Sequence, residues 1–156
     1  MISLINQERD IYFMQQALML AKKAAFNHEV PVGAVLVLED RMIGEGHNAS
    51  ITLNDPSAHA EMIALRRASN HLKNYRLINT TLYVTLEPCM MCAGALVHAR
   101  IKRLVFGASD PKAGVVHSQG CLLDAKFLNH RIDYHGGVLA HDCGALLSEF
   151  FASKRS

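Results

Sequence analysis

Two short motifs, His59-Ala60-Glu61 and Pro88-Cys89-Met90-Met91-Cys92, constrain this chain more than anything else in it. Between them they offer one imidazole, two thiols and one carboxylate, a set that can hold zinc, so any fold must bring the two motifs together. Cys89 and Cys92 are three apart, which puts both sulfurs on one face if they open a helix. Pro88 suits a helix start, where an N–H lacks an intrahelical partner anyway. His59 follows Asp55-Pro56-Ser57, a turn and cap signal, and is expected in the first turn of a second helix. Two helix N-termini then converge on one metal, and their positive ends favour ionised thiols.

Three protein ligands leave the fourth position of a tetrahedral zinc open to water, which separates a catalytic site from a closed structural one. Zinc at +2, two thiolates and a neutral imidazole sum to zero charge. Such a site acidifies water less than one built from three histidines, so a nearby proton acceptor becomes necessary. Glu61, two positions from His59, points away from the His direction in a regular helix. That makes it a poor fourth ligand and a plausible proton shuttle. Two plainer readings compete. A Cys-x-x-Cys after a strand-like stretch can be a redox pair, but this leaves His59-Ala60-Glu61 unexplained. A closed zinc site would recruit His98, Cys121 or Cys143, none at a usual finger spacing.

With 156 residues, half of them hydrophobic and 19% charged, the chain is expected to form one domain over residues 1–156 with a sizeable core. The longest apolar stretch, Val30 to Leu38, is broken by Pro31 and Gly33 and is too short to cross a bilayer. No basic segment followed by a long apolar run opens the sequence, so no signal peptide is expected. Four cysteines, two in a metal-like pair, suit a reducing cytoplasm. A net charge of +2 permits a nucleic-acid partner without demanding one.

Hydrophobic spacing predicts a helix over Glu8–Phe26, with Ile11, Met14, Leu18, Ala21 and Ala25 facing the core. Val32–Leu38 reads as a buried strand, Glu39-Asp40 as a tight turn, and Arg41–Glu45 as its hairpin partner. A helix over Ala58–Ala68, with Met62, Leu65 and Ala68 inward, follows the polar loop Asn48–Ser57. Then come a strand over Thr81–Thr85, a helix over Cys89–Ala99, a strand over Arg103–Gly107, a loop over Ser109–Gly120, a last strand over Arg131–Tyr134, and a closing helix within Gly137–Phe151. Strands alternating with helices after an initial hairpin point to a three-layer α/β/α sandwich around a mixed sheet.

The spacing His-x-Glu … Pro-Cys-x-x-Cys resembles the zinc signature of nucleobase deaminases. Around it, Gly44-Glu45-Gly46-His47-Asn48, Asn74-Tyr75-Arg76-Leu77, Thr85-Leu86-Glu87-Pro88-Cys89 and Asn129-His130-Arg131 resemble the bacterial tRNA-specific adenosine deaminases of the cytidine deaminase-like superfamily. That resemblance implies an α/β fold with a central five-stranded sheet, one zinc per subunit held by His59, Cys89 and Cys92, and Glu61 as proton shuttle. It implies hydrolysis of adenosine to inosine at the first anticodon position, with a tRNA anticodon stem-loop as partner. It also implies substrate contacts by Asn48, Asp110, Lys112, Ala113, Gly114, Asn129, Phe150 and Phe151. Read by composition alone, Asn48 ends a strand in a turn and Phe150-Phe151 close a helix on the core. Members of the family are homodimers, and Met90-Met91 and Leu96-Val97 extend the apolar surface of the zinc helix in that sense. Deamination of a free base or nucleotide, and a non-catalytic zinc-stabilised binding module, are the alternative readings.

Overall fold

The computed structural model describes residues 3–155. Four helices and five strands follow in the order α1 (Leu4–Phe26), β1 (Gly33–Leu38), β2 (Arg41–His47), α2 (Ala60–Leu72), β3 (Thr81–Leu86), α3 (Met90–Ala99), β4 (Arg103–Ala108), β5 (Asp133–His135) and α4 (Ala140–Arg155), with a single short turn of 3₁₀ helix at Leu122–Asp124. The strands lie in one sheet in the order β2-β1-β3-β4-β5. β1 is antiparallel to both its neighbours, while β3, β4 and β5 run parallel. The sheet is therefore mixed and five-stranded, as expected.

Alternation along the strands divides the core in two. Ala34, Leu36, Leu82, Val84, Leu104 and Phe106 face α2 and α3. Val35, Val37, Tyr83 and Val105 face the opposite way, against α1 and Cys143 of α4. This is the three-layer arrangement. On the α1 side a buried polar knot ties helix to sheet: Arg103 donates to both oxygens of Asp10 at 2.7 Å, and the Tyr83 hydroxyl donates to Asp10 Oδ1 at 2.9 Å.

Several expectations are corrected. α1 begins at Leu4, because the Ser3 hydroxyl accepts from the Asn6 N–H and caps it. Its first turn carries exposed Leu4 and Ile5, so periodicity reveals the helix only later. Ile11 is 41% exposed, and the inward face is set instead by Asp10, Phe13, Met14 and Ala17. Leu96 is buried in the chain's own core, and Val97, largely buried there too, only edges the cleft beside α3, whereas Met90 is exposed. The hairpin turn is made by Glu39 and Asp40, both left-handed, the geometry of a two-residue turn that matches strand twist.

The layer of α2 on the sheet is unusually close. Strand β2 presents Gly44 and Gly46 to a helix face made of Ala60, Ala64 and Ala68. A Cβ at Gly46 would lie 2.6 Å from the Ala60 carbonyl oxygen and 2.9 Å from the Ala64 nitrogen. This small-against-small packing fixes where the N-terminus of α2, and so His59 and Glu61, meets the sheet.

Candidate metal centre and substrate pocket

His59 and Cys89 are the cap residues of α2 and α3, each with extended backbone just outside the helix. Cys92 lies on the first turn of α3. The His59 Nδ1 is 3.6 Å from Cys89 Sγ and 3.5 Å from Cys92 Sγ, and the three atoms all lie within 4.8 Å of one another. A tetrahedral zinc with bonds of about 2.3 Å to sulfur and about 2.05 Å to nitrogen requires N···S separations of about 3.6 Å. The residues therefore fit the ion by spacing as well as by chemistry. The protonation pattern agrees. Cys89 is held down to about 3, first by the proton of the Cys92 side chain, while Cys92 is pushed up by the same contact and His59 is pushed up by Cys89. Groups that compete in this way for protons suit a dication, which leaves both thiols ionised.

Glu61 is 4% exposed. Burial, the largest influence on it, pushes its carboxyl up to about 7. Because His59 sits outside the helix, the expected divergence of the two side chains does not arise: both line one cavity of about 130 Å³ together with Asn48, Cys89, Asp110, Ala113, Val30, Val32, Leu86 and Glu87. Larger clefts open elsewhere, including one of about 540 Å³ between α1 and α4, but this small one brings His59 and Cys89 together with a buried acid, while Cys92 lies behind its wall. Asn48 has a structural task as well. Its Oδ1 accepts from the Ala60 N–H at 2.8 Å and so caps α2 in place of His59, whose side chain makes no cap bond.

The family model of the cytidine and deoxycytidylate deaminase zinc-binding region matches residues 7–108. This chain belongs to that deaminase family. Zinc is accordingly the metal of this deaminase site. Among relatives, a tRNA-specific adenosine deaminase of Haemophilus influenzae is 54% identical over 152 residues, 97% of this chain and 88% of that one. A tRNA-specific adenosine deaminase of Buchnera aphidicola is 47% identical, covering 97% and 99%. A solved structure from work on A-to-I editing by tRNA:A34 deaminases at the wobble position superposes with a TM-score of 0.85 at 43% identity, covering 87% of this chain and 99% of that chain.

The remaining expected site residues are dispersed in this deaminase. Asp110 and Ala113 reach the zinc cavity; Lys112 and Gly114 share their loop without lining it. Asp110 Oδ1 is engaged by the Lys112 and Ala113 N–H groups at 3.2 Å, so it shapes the loop. Asn129 lines a different cleft, with Tyr75, Arg76, Gly94 and His98. Phe150 and Phe151 stack edge to face on α4, with Lys154 over the Phe150 ring; Phe151 is 45% exposed, so it does not close the helix on the core. Two residues had no role in the sequence reading. Glu87 and Glu29 are each 2% exposed, and each carboxylate is filled by N–H groups of a loop: residues 51 and 52 for Glu29, and the 110–118 loop beside the cavity for Glu87. Their only signal is an acid inside an apolar run, Glu29-Val30-Pro31-Val32 and Leu86-Glu87-Pro88.

Proposed function

We propose that this chain hydrolyses the 6-amino group of adenosine at the first anticodon position of tRNA, releasing inosine and ammonia. The observation that carries it is the convergence of the His59, Cys89 and Cys92 ligand atoms at a cavity that His59, Cys89 and buried Glu61 line together, in a chain 54% identical to a tRNA-specific adenosine deaminase. Bound zinc supplies the Lewis acid that makes a water nucleophilic near neutral pH. Glu61 accepts the first proton lost by the attacking water and passes it to the purine N1; it then takes the second from the new C6 hydroxyl and gives it to the amine as the C–N bond breaks, so water's two protons end on N1 and on ammonia, and a carboxyl with a value near 7 can do both. Asn48 has its Oδ1 committed to Ala60, so its Nδ2 is left as a donor for a purine acceptor. The loop bearing Asp110, Lys112, Ala113 and Gly114 closes one side of the pocket, and Asn129, Phe150 and Phe151 contact RNA farther out.

The substrate's anticodon is met by a homodimer in the cytoplasm. Support for a second copy comes from Tyr75 and Phe127, 69% and 80% exposed on the cleft beside α3, and from Met90, 76% exposed at the start of that helix. No helix among the described residues is long and apolar enough to cross a membrane.

The deciding experiment incubates zinc-loaded protein with an anticodon stem-loop and, separately, with free adenine, guanine, cytosine and deoxycytidylate. Inosine formed in the stem-loop is the expected result; turnover of the free compounds alone overturns the tRNA reading. Glu61→Gln is expected to lower kcat about 10²- to 10⁴-fold, the usual worth of a general acid–base, with one zinc retained. Full activity in that variant would remove Glu61 from the chemistry.

A further inference from the structure

Glu87 occupies the step between β3 and Cys89, and its carboxylate is wholly enclosed. Oε1 accepts from the Asp110 N–H at 3.0 Å and the Ser118 hydroxyl at 2.5 Å. Oε2 accepts from the N–H groups of Val116, His117 and Ser118 at 3.0, 2.9 and 3.0 Å. All five donors belong to the segment between β4 and the 3₁₀ turn, and Gly114 lies so close that a Cβ there would fall 2.3 Å from the Glu87 Cδ. That segment carries no helix or strand; Val116 ties it to the apolar core, and the rest of it is folded over a carboxylate. Backbone bonds from Val115 N–H to the Pro88 carbonyl and from Glu87 N–H to the Ala108 carbonyl complete the seam.

A carboxylate has about four lone-pair sites, and five donors use them fully. Glu87 lines the zinc cavity but has no acceptor capacity left for a substrate. What it controls is geometry. It joins the stretch that supplies Cys89 to the loop that supplies Asp110 and Ala113 to the same cavity. Resting on the deaminase reading above, we propose that Glu87 is a positioning residue for base binding: it holds the 110–118 loop at the distance from the metal centre that the substrate base requires.

Glu87→Gln keeps the shape of the side chain. The amide oxygen can stay with the three N–H groups of residues 116–118, which places the amide nitrogen against the Asp110 N–H. Donor then meets donor at the residue that lines the cavity, while the Ser118 hydroxyl can turn to accept. The lesion therefore falls on the pocket wall and spares the ligands.

The test uses zinc-loaded full-length protein, steady-state kinetics on the anticodon stem-loop, and zinc content. Glu87→Gln is expected to raise KM about tenfold or more, with kcat within about threefold and zinc unchanged. Ser118→Ala, which removes one donor without adding one, is expected to raise KM in the same direction by less. In the double variant with Ala113→Gly, the two KM effects are expected to be less than additive, since both act through one loop. An unchanged KM in both Glu87→Gln and Ser118→Ala overturns the proposal, as does a loss of kcat or zinc at constant KM. Should Glu87→Gln fail to fold, the KM of Ser118→Ala decides. Should wild-type protein ignore the stem-loop but turn over a free base, the tRNA reading fails, and the same KM comparison on that base still judges Glu87, because Asp110 and Ala113 border the metal centre itself.

Discussion

Replacing Gly46 by alanine tests the claim that close packing of α2 on β2 sets the catalytic geometry. The added Cβ would lie 2.6 Å from the Ala60 carbonyl oxygen, 2.8 Å from the Ile63 Cβ and 2.9 Å from the Ala64 nitrogen. Two of these are backbone atoms of α2, so no side-chain rotation relieves the clash. Ordinary contact begins near 3.4 Å, so the helix has to withdraw by something close to 1 Å. Overpacking of this kind costs about 1–3 kcal/mol. For a chain of this size that corresponds to a fall in Tm of roughly 2–12 °C. Functionally the loss should be larger than the stability suggests. Ala60 follows His59, which we propose as a metal ligand, and precedes Glu61, and a misplacement of about 1 Å at a reacting group can cost about 100-fold in rate. Thermal unfolding, zinc content and turnover are measured together. Gly144→Ala on α4 serves as control, because nothing lies within 4 Å of its Cβ position; it should be neutral or stabilising by up to about 1 kcal/mol. A Gly46→Ala protein with wild-type Tm and wild-type kcat would refute the reasoning.

Three further outcomes follow from the buried polar groups and thiols. Arg103→Ala strips the bidentate partner from buried Asp10 and should cost about 3 kcal/mol, the low end for a broken buried pair because Arg103 is partly exposed; in urea denaturation, the double change with Asp10→Leu should cost distinctly less than the two single changes added. Glu29 is lowered below its ordinary 4.5: burial, the largest influence, raises it, but the Thr52 hydroxyl and the Thr52 and Ile51 N–H groups together outweigh this. A depressed carboxyl lends stability that is complete above pH 4.5 and is lost as pH falls through the folded value, so urea midpoints measured from pH 6 down to pH 3 should drop less steeply in Glu29→Gln than in wild type. Exposed Cys121 should react quickly with a thiol reagent, whereas buried Cys143, whose thiol burial pushes up to about 12, should not; chelation should add half-buried Cys89 to the reactive set, and an unchanged count after chelation would speak against its holding the metal.

The convergence of His59, Cys89 and Cys92 was legible because its chemistry is local. Cys89 and Cys92 must open a helix for both sulfurs to converge, and Pro88 announces that opening in the sequence. The angular argument for Glu61 rested on His59 being helical, and failed because His59 is a cap residue in extended backbone; the conclusion that the carboxylate serves a proton and not the metal does not depend on it. The sandwich was legible from alternating strand and helix periods. Glu87 and Glu29 were not, since their partners are backbone N–H groups of loops, which carry no side-chain signature. The same reason hid the capping role of Asn48. Ile11 shows the limit of periodicity: the helix face is decided by the Asp10–Arg103–Tyr83 knot, a contact made across 93 residues.

The placement of the two ligand caps has a consequence for how the molecule is assembled. His59 and Cys89 are 30 residues apart, with the central strand β3 between them. Zinc cannot be captured by either motif alone, as it is in a finger; both helices must already be packed on the same face of the sheet. The ion would then act as a cross-link closing a loop through the middle of the sheet. Resistance to heat should accordingly rise with free zinc as RT ln(1 + [Zn]/Kd), so that a cell's metal supply regulates the lifetime of the fold as well as its chemistry.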